Sequence, residues 1–152
     1  RIEQNSSWTT VENKKSDINQ EGLESEIFLK YGDNSYTFFS HFAKSRTASE
    51  GPQSRRPDLS YGLNYTKKIN TSSYGLLDLY LNYKYTGDYI DWDGANNSFQ
   101  KSTDIVDLSI KKKWFNNIMS INFTNLLNER YEKPATYSQD GRQLRLKITS
   151  LF

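Results

Sequence analysis

The side chains of this chain best suited to chemistry are concentrated in Asp88-Tyr89-Ile90-Asp91-Trp92-Asp93-Gly94. Carboxylates interleaved with aromatics offer oxygen ligands for Ca²⁺ or a frame for a bound molecule. The spacing does not follow an EF-hand loop, and a solvated loop whose aromatics sit at a membrane rim accounts for the same residues. Arg55, Arg56 and Arg142 could steer an anionic ligand, although loop arginines are commonly just solvated. Tyr89 and Trp92 are the aromatics of that loop, while Tyr131 and Tyr137 could stack on a flat ligand, although rim anchoring is the commoner use of such residues. His41 is the only histidine and cysteine is absent, so neither a transition-metal site nor His-based catalysis has a second member. Lys111-Lys112-Lys113 runs into Trp114, which suits a membrane boundary better than a nucleic-acid surface. No nucleophile–base arrangement, phosphate loop or paired carboxylates on a defined scaffold stands out. The chain therefore reads as a non-enzyme with no catalytic residue, no cofactor and no resident metal, and with no nucleic-acid partner.

The elements that would position these loops are strands. From Gln143 to the end, Leu144, Leu146, Ile148 and Phe152 fall on one side and Gln143, Arg145, Lys147 and Thr149 on the other. An aromatic last residue that completes the apolar side suits a strand closing a membrane barrel. Leu77, Leu79, Leu81, Tyr83 and Tyr85 alternate with Asp78, Tyr80, Asn82, Lys84 and Thr86 in the same way, a length that fits a tilted membrane crossing ending in rim aromatics. Further alternating runs are expected from Leu23 to Tyr31, Ser35 to Ser45, Leu59 to Lys67, Asp104 to Trp114 and Ile118 to Leu126. Asn5 to Ser7 are turn formers, and Arg1 to Gln4 is too short to assign alone. The connections alternate short and long: Gly32 to Asn34, Arg46 to Asp58, Lys68 to Ser73, Gly87 to Thr103, Phe115 to Asn117, Asn128 to Arg142. Short turns on one side and long loops on the other is the pattern of an outer-membrane barrel.

Composition agrees. The chain has 152 residues, only 35% hydrophobic but 14% aromatic, and contains no apolar run long enough for a membrane helix. A barrel needs only every second residue to be apolar. The net charge of +2 singles out no acidic partner. Glu24, Glu26, Asp78, Lys84, Asp107, Lys111, Arg145 and Lys147 would share the side opposite the apolar set. In a sandwich core each unpaired charge would cost several kcal/mol, whereas the wall of a wide barrel is wet or packed on a polar plug. Arg1 falls in what reads as the middle of a strand with no export signal, so a fragment of a longer protein is expected.

Four segments carry a family resemblance. Gly22-Leu23-Glu24-Ser25-Glu26, Arg55-Arg56-Pro57 before a Tyr-rich strand, Asn125-Leu126-Leu127-Asn128-Glu129-Arg130-Tyr131, and Gly141-Arg142 before the last strand occur in order and at fitting spacing over nearly the whole chain. Together they resemble the carboxy-terminal barrel portion of TonB-dependent outer-membrane receptors, in particular the cobalamin-transporter branch. The resemblance implies an all-β, antiparallel transmembrane segment spanning residues 1–152, of about seven or eight meandering strands from a barrel of about 22, with the plug domain and TonB box absent. It implies active uptake of a scarce nutrient, cobalamin or an iron–siderophore complex, at the outer membrane of a Gram-negative bacterium. The implied partners are outer-membrane lipid, the TonB complex acting through the plug, the barrel-assembly machinery and a small-molecule substrate. Arg55, Arg56, Tyr89, Trp92, Tyr131, Tyr137 and Arg142 become candidate extracellular ligand contacts, and Leu144, Leu146, Ile148 and Phe152 the strand read during assembly. A complete eight-stranded barrel acting as anchor or adhesin, and a soluble carbohydrate-binding β-sandwich, are the alternatives.

Overall fold

The computed structural model describes residues 2–4, 11–13, 18–47, 51–52, 55–71, 75–93 and 95–150, and all regular structure in them is β. In chain order the strands are β1 (Ile2–Gln4), β2 (Val11–Asn13), β3 (Ile18–Tyr31), β4 (Asn34–Thr47), β5 (Gly51–Pro52), β6 (Leu59–Thr71), β7 (Gly75–Thr86), β8 (Tyr89–Trp92), β9 (Asn97–Gln100), β10 (Thr103–Trp114), β11 (Asn117–Thr124) and β12 (Gln143–Ser150). The main sheet is an antiparallel meander in the order β12-β11-β10-β7-β6-β4-β3, with β5 folded back onto β4. β1–β2 and β8–β9 form separate two-stranded ladders. Phe152, Asn5 to Ser7 and Gly94 lie outside the described residues.

The alternation predicted from sequence sets the register. Directly opposed residues of an antiparallel pair share a face. One row runs Leu29, Tyr36, Tyr65, Leu81, Leu108, Phe123, Leu144 across all seven strands. The next face-mates are Lys67, Leu79, Ile110, Ile121 and Leu146. On the opposite face one row joins Lys68, Asp78, Lys111, Ser120 and Lys147, and another joins Glu26, Phe39, Gly62, Lys84 and Ile105. All eight charged residues assigned to one side do share it.

Several boundaries differ from the sequence reading, for one reason: polar residues continue a strand when a neighbouring strand is there to pair with them. β6 runs through Thr71 because residues 68–71 pair with 75–78, so only residues 72–74 separate it from β7. Asn34 and Asn117, expected in turns, begin β4 and β11. β3 starts at Ile18, well before Leu23, because Ile18 to Gly22 pair with Ala43 to Thr47. The expected loop from Gly87 to Thr103 contains the β8–β9 hairpin.

Two neighbouring pairs, β4–β6 and β10–β11, are staggered, and in the same sense. Residues 43–47 of β4 extend beyond Leu59, the start of β6, while residues 68–71 of β6 extend beyond Asn34 at the other end. Residues 103–106 of β10 likewise outrun the end of β11.

The sheet has no hydrophobic core of the usual kind. Among the described residues the one buried hydrophobic side chain is Ala135, while Leu23, Ile27, Leu29, Leu144, Leu146 and Ile148 are 53–74% exposed. Among the described residues no second layer covers the apolar face, although each Leu or Ile left in water forgoes roughly 1.5–3 kcal/mol of burial. Aromatic contacts border its aliphatic centre. Tyr61 stacks on Tyr85 at 4.7 Å near the long-loop end, and Tyr36 stacks on Tyr65 at 4.9 Å near the short-turn end. Trp114 lies 5.8 Å from Phe115 at a short turn. The polar face is tied by side-chain bonds: Asn82 donates to Asn64 at 2.6 Å, Ser109 donates to Asn122 at 2.7 Å, and His41 meets Glu24 at 2.9 Å.

Candidate functional site

Residues 48–58, 87–102 and 125–142 connect consecutive strands at one end of the sheet, and this end gathers the chemistry. In the first of these connections Arg55 adopts a left-handed conformation (φ 63°) and donates its backbone N–H to the Ile90 carbonyl at 2.7 Å. In the second, Asp93 closes the β8–β9 turn by accepting from the backbone N–H groups of Asn96 at 2.7 Å and Ala95 at 2.9 Å. Those donors hold the Asp93 carboxyl below its usual range. Gly87 is buried, and its N–H donates to the Leu59 carbonyl at 2.8 Å, fixing where this connection leaves the sheet.

The third connection is organised by Asn125, which is 5% exposed and also left-handed (φ 52°). Its amide donates to the carbonyls of Glu129 at 2.8 Å and Asp140 at 3.2 Å, and its Oδ1 accepts the Glu129 N–H at 2.8 Å. Its own N–H donates to Asp107 Oδ1 at 2.8 Å, anchoring the connection to β10. Asn128 Oδ1 accepts the Arg142 N–H at 3.0 Å, and a Cβ at Gly141 would crowd that same oxygen. The two segments singled out as motifs at either end of this connection are therefore one hydrogen-bonded unit.

Asp91 joins the three connections. Its side chain is fully buried, the only one among the described residues with so little exposure and so large a volume. Oδ1 accepts from Arg55 Nε at 2.5 Å and from the Trp92 N–H at 2.7 Å; Oδ2 accepts from the Ala135 N–H at 2.7 Å. Burial by itself would push this carboxyl up, but the Ala135 N–H, the Arg55 guanidinium and the Trp92 N–H outweigh it and leave it below the usual range. Beside it, the Tyr89 hydroxyl is pushed up, first by burial and then by the Asp91 charge, with Arg55 opposing.

Below this junction an open cavity of about 530 Å³ lies between the polar face of the sheet (Asn82, Lys84, Thr86, Ile105, Asp107) and the second and third connections (Tyr89, Phe99, Lys101, Arg130, Tyr131, Lys133). Its aromatic faces and mixed charges suit binding. Asp91 is saturated by donors, Asp93 caps a turn and Asp88 is exposed, so these carboxylates do not converge on a cation. No cluster of three metal-ligating side chains occurs among the described residues.

Of the candidate ligand contacts, Arg55 and Tyr89 meet at Asp91, and Tyr89 and Tyr131 line the cavity. Arg56 is directed back to Gln20 of β3 at 3.5 Å. Trp92 and Tyr137 are exposed away from the cavity wall, and Arg142 stands at the base of β12. Leu144, Leu146 and Ile148 lie on the apolar face, as expected. Sequence reasoning missed the roles of Asp91, Ala135 and Asn125 at the loop junctions. The left-handed propensity of Asn was a usable signal for Asn125; nothing local marked Ala135. No protein-family model matches this sequence, and no curated protein matches it.

Proposed function

We propose that this chain is part of the wall of an outer-membrane β-barrel belonging to a TonB-dependent transporter for a scarce nutrient, cobalamin or an iron–siderophore complex. The observation that carries the membrane part is the inverted sheet: an uncovered aliphatic face bordered by tyrosines, opposite a face of Glu, Asp, Lys and Arg. Water does not sustain an exposed apolar face of this extent, and lipid does. Strands of 12 to 14 residues in β3, β4, β6, β7 and β10 are long enough to cross a hydrocarbon layer of about 30 Å at a tilt. The stagger between β4 and β6 and between β10 and β11 has the sense that tilted strands of a barrel would have. β3 and β12 are each paired on one side only among the described residues, and lipid does not tolerate open edges, so further strands would continue the barrel there. The short turns would face the periplasm and the three long connections the exterior. The receptor assignment, with its plug, TonB complex and assembly machinery as partners, rests on the four ordered sequence motifs.

Single-cysteine labelling tests the membrane reading. Leu63→Cys and Leu81→Cys should resist a water-soluble maleimide in outer-membrane fractions until the membrane is dissolved and the protein denatured, whereas Asn64→Cys and Asn82→Cys should react beforehand. Equal aqueous labelling at all four positions would refute it. Growth on limiting cobalamin or ferric siderophore, with and without the intact gene, tests the substrate.

A further inference from the structure

We propose that Asp91 is a latch that couples the three long connections, fastening the first, through Arg55, to the second and third, which line the cavity, so that the three loosen together. Each connection leaves the sheet between a different pair of strands. Yet one buried carboxylate takes a donor from each of them, Arg55 from the first, Trp92 from the second and Ala135 from the third. Arg55 reinforces the junction through its backbone N–H to Ile90, the residue preceding Asp91. Ala135 is the buried hydrophobic residue of the described chain, so its N–H has no water to turn to if the carboxylate is removed. Loss of Asp91 would thus strand the Ala135 donor of the third connection and release the exposed Arg55 side chain of the first to water. Tyr89, two residues before the latch, and Tyr131, four residues before Ala135, both line the cavity, so releasing the latch frees both walls.

The proposal concerns coupling among the connections and holds whether or not the apolar face meets lipid. Amide hydrogen exchange on the full chain in detergent tests it. In Asp91→Ala, exchange at residues 133–137, 89–92 and 55–58 should each rise about tenfold or more, while β6, β7 and β10 keep their protection. Arg55→Ala is the decisive variant because Arg55 is partly exposed and is not bonded to Ala135. It should raise exchange at residues 133–137 as well as in its own connection. If Asp91→Ala does not fold, Asp91→Asn and Arg55→Ala provide the same comparison. Response of residues 133–137 to neither variant, or of each connection only to changes within itself, would overturn the latch.

Discussion

At the scale of single residues, the stabilising contribution of Asp91 depends on pH in a fixed direction. Its folded carboxyl is held below its ordinary range, so this contribution is present at and above ordinary carboxylate pH and is lost only as pH falls through the lowered folded value. The groups facing it are the Arg55 guanidinium from the first connection and Tyr89 on its own strand. Protection of the Ala135 amide, followed by exchange corrected for intrinsic rate, should hold from neutral pH down to the carboxylate range and collapse below it; collapse near neutrality would contradict the geometry. Asn125→Ala removes two donors and an acceptor from a buried site and leaves alanine in a left-handed conformation, so it should destabilise by about 3 kcal/mol in urea unfolding. Gly62 is constrained by its neighbours: a Cβ there would run into the Phe39 ring and the Tyr83 carbonyl. Gly62→Ala should cost about 1–3 kcal/mol, and a second change, Phe39→Leu, should recover part of it. The sequence flagged Asp91 and Arg55 separately, one as a carboxylate in an acidic segment and one as a loop arginine. It could not pair them, because they are brought together by strands between them and not by local spacing.

At the scale of elements, the meander strands were legible because each carries a period-two alternation that one uncovered face enforces. β7 is the clearest case, with Leu77 to Tyr85 on the apolar side and Asp78 to Thr86 on the other. β8 and β9 were not legible. Tyr89-Ile90-Asp91-Trp92 has no apolar alternation, and the hairpin is held by its ladder, by Asp93 at the turn and by Arg55 from outside. The two faces of β7 should respond oppositely to charge. Leu81→Arg, in the middle of the apolar row, should destabilise the chain in lipid vesicles by about 2–4 kcal/mol, and Asn82→Arg should change stability by about 1 kcal/mol or less. Similar losses from the two substitutions would mean that both faces meet the same medium.

At the scale of the whole molecule, the sheet is a single layer that buries almost nothing on its own and leaves β3 and β12 with one open side each among the described residues. The chain should remain dispersed in detergent micelles and aggregate when detergent is withdrawn, as followed by sedimentation. A monodisperse monomer in plain buffer would mean that the apolar face is covered by some other means. The strict order of the meander also bears on how such a sheet forms. Every ladder of the main sheet joins strands that are neighbours along its path in the chain, and the longest segment to be closed between two partners is residues 125–142. Closure entropy grows only logarithmically with length, by roughly 0.6 kcal/mol per doubling. Each hairpin can therefore register on the one before it without waiting for a remote partner, and the sheet can grow strand by strand from either end.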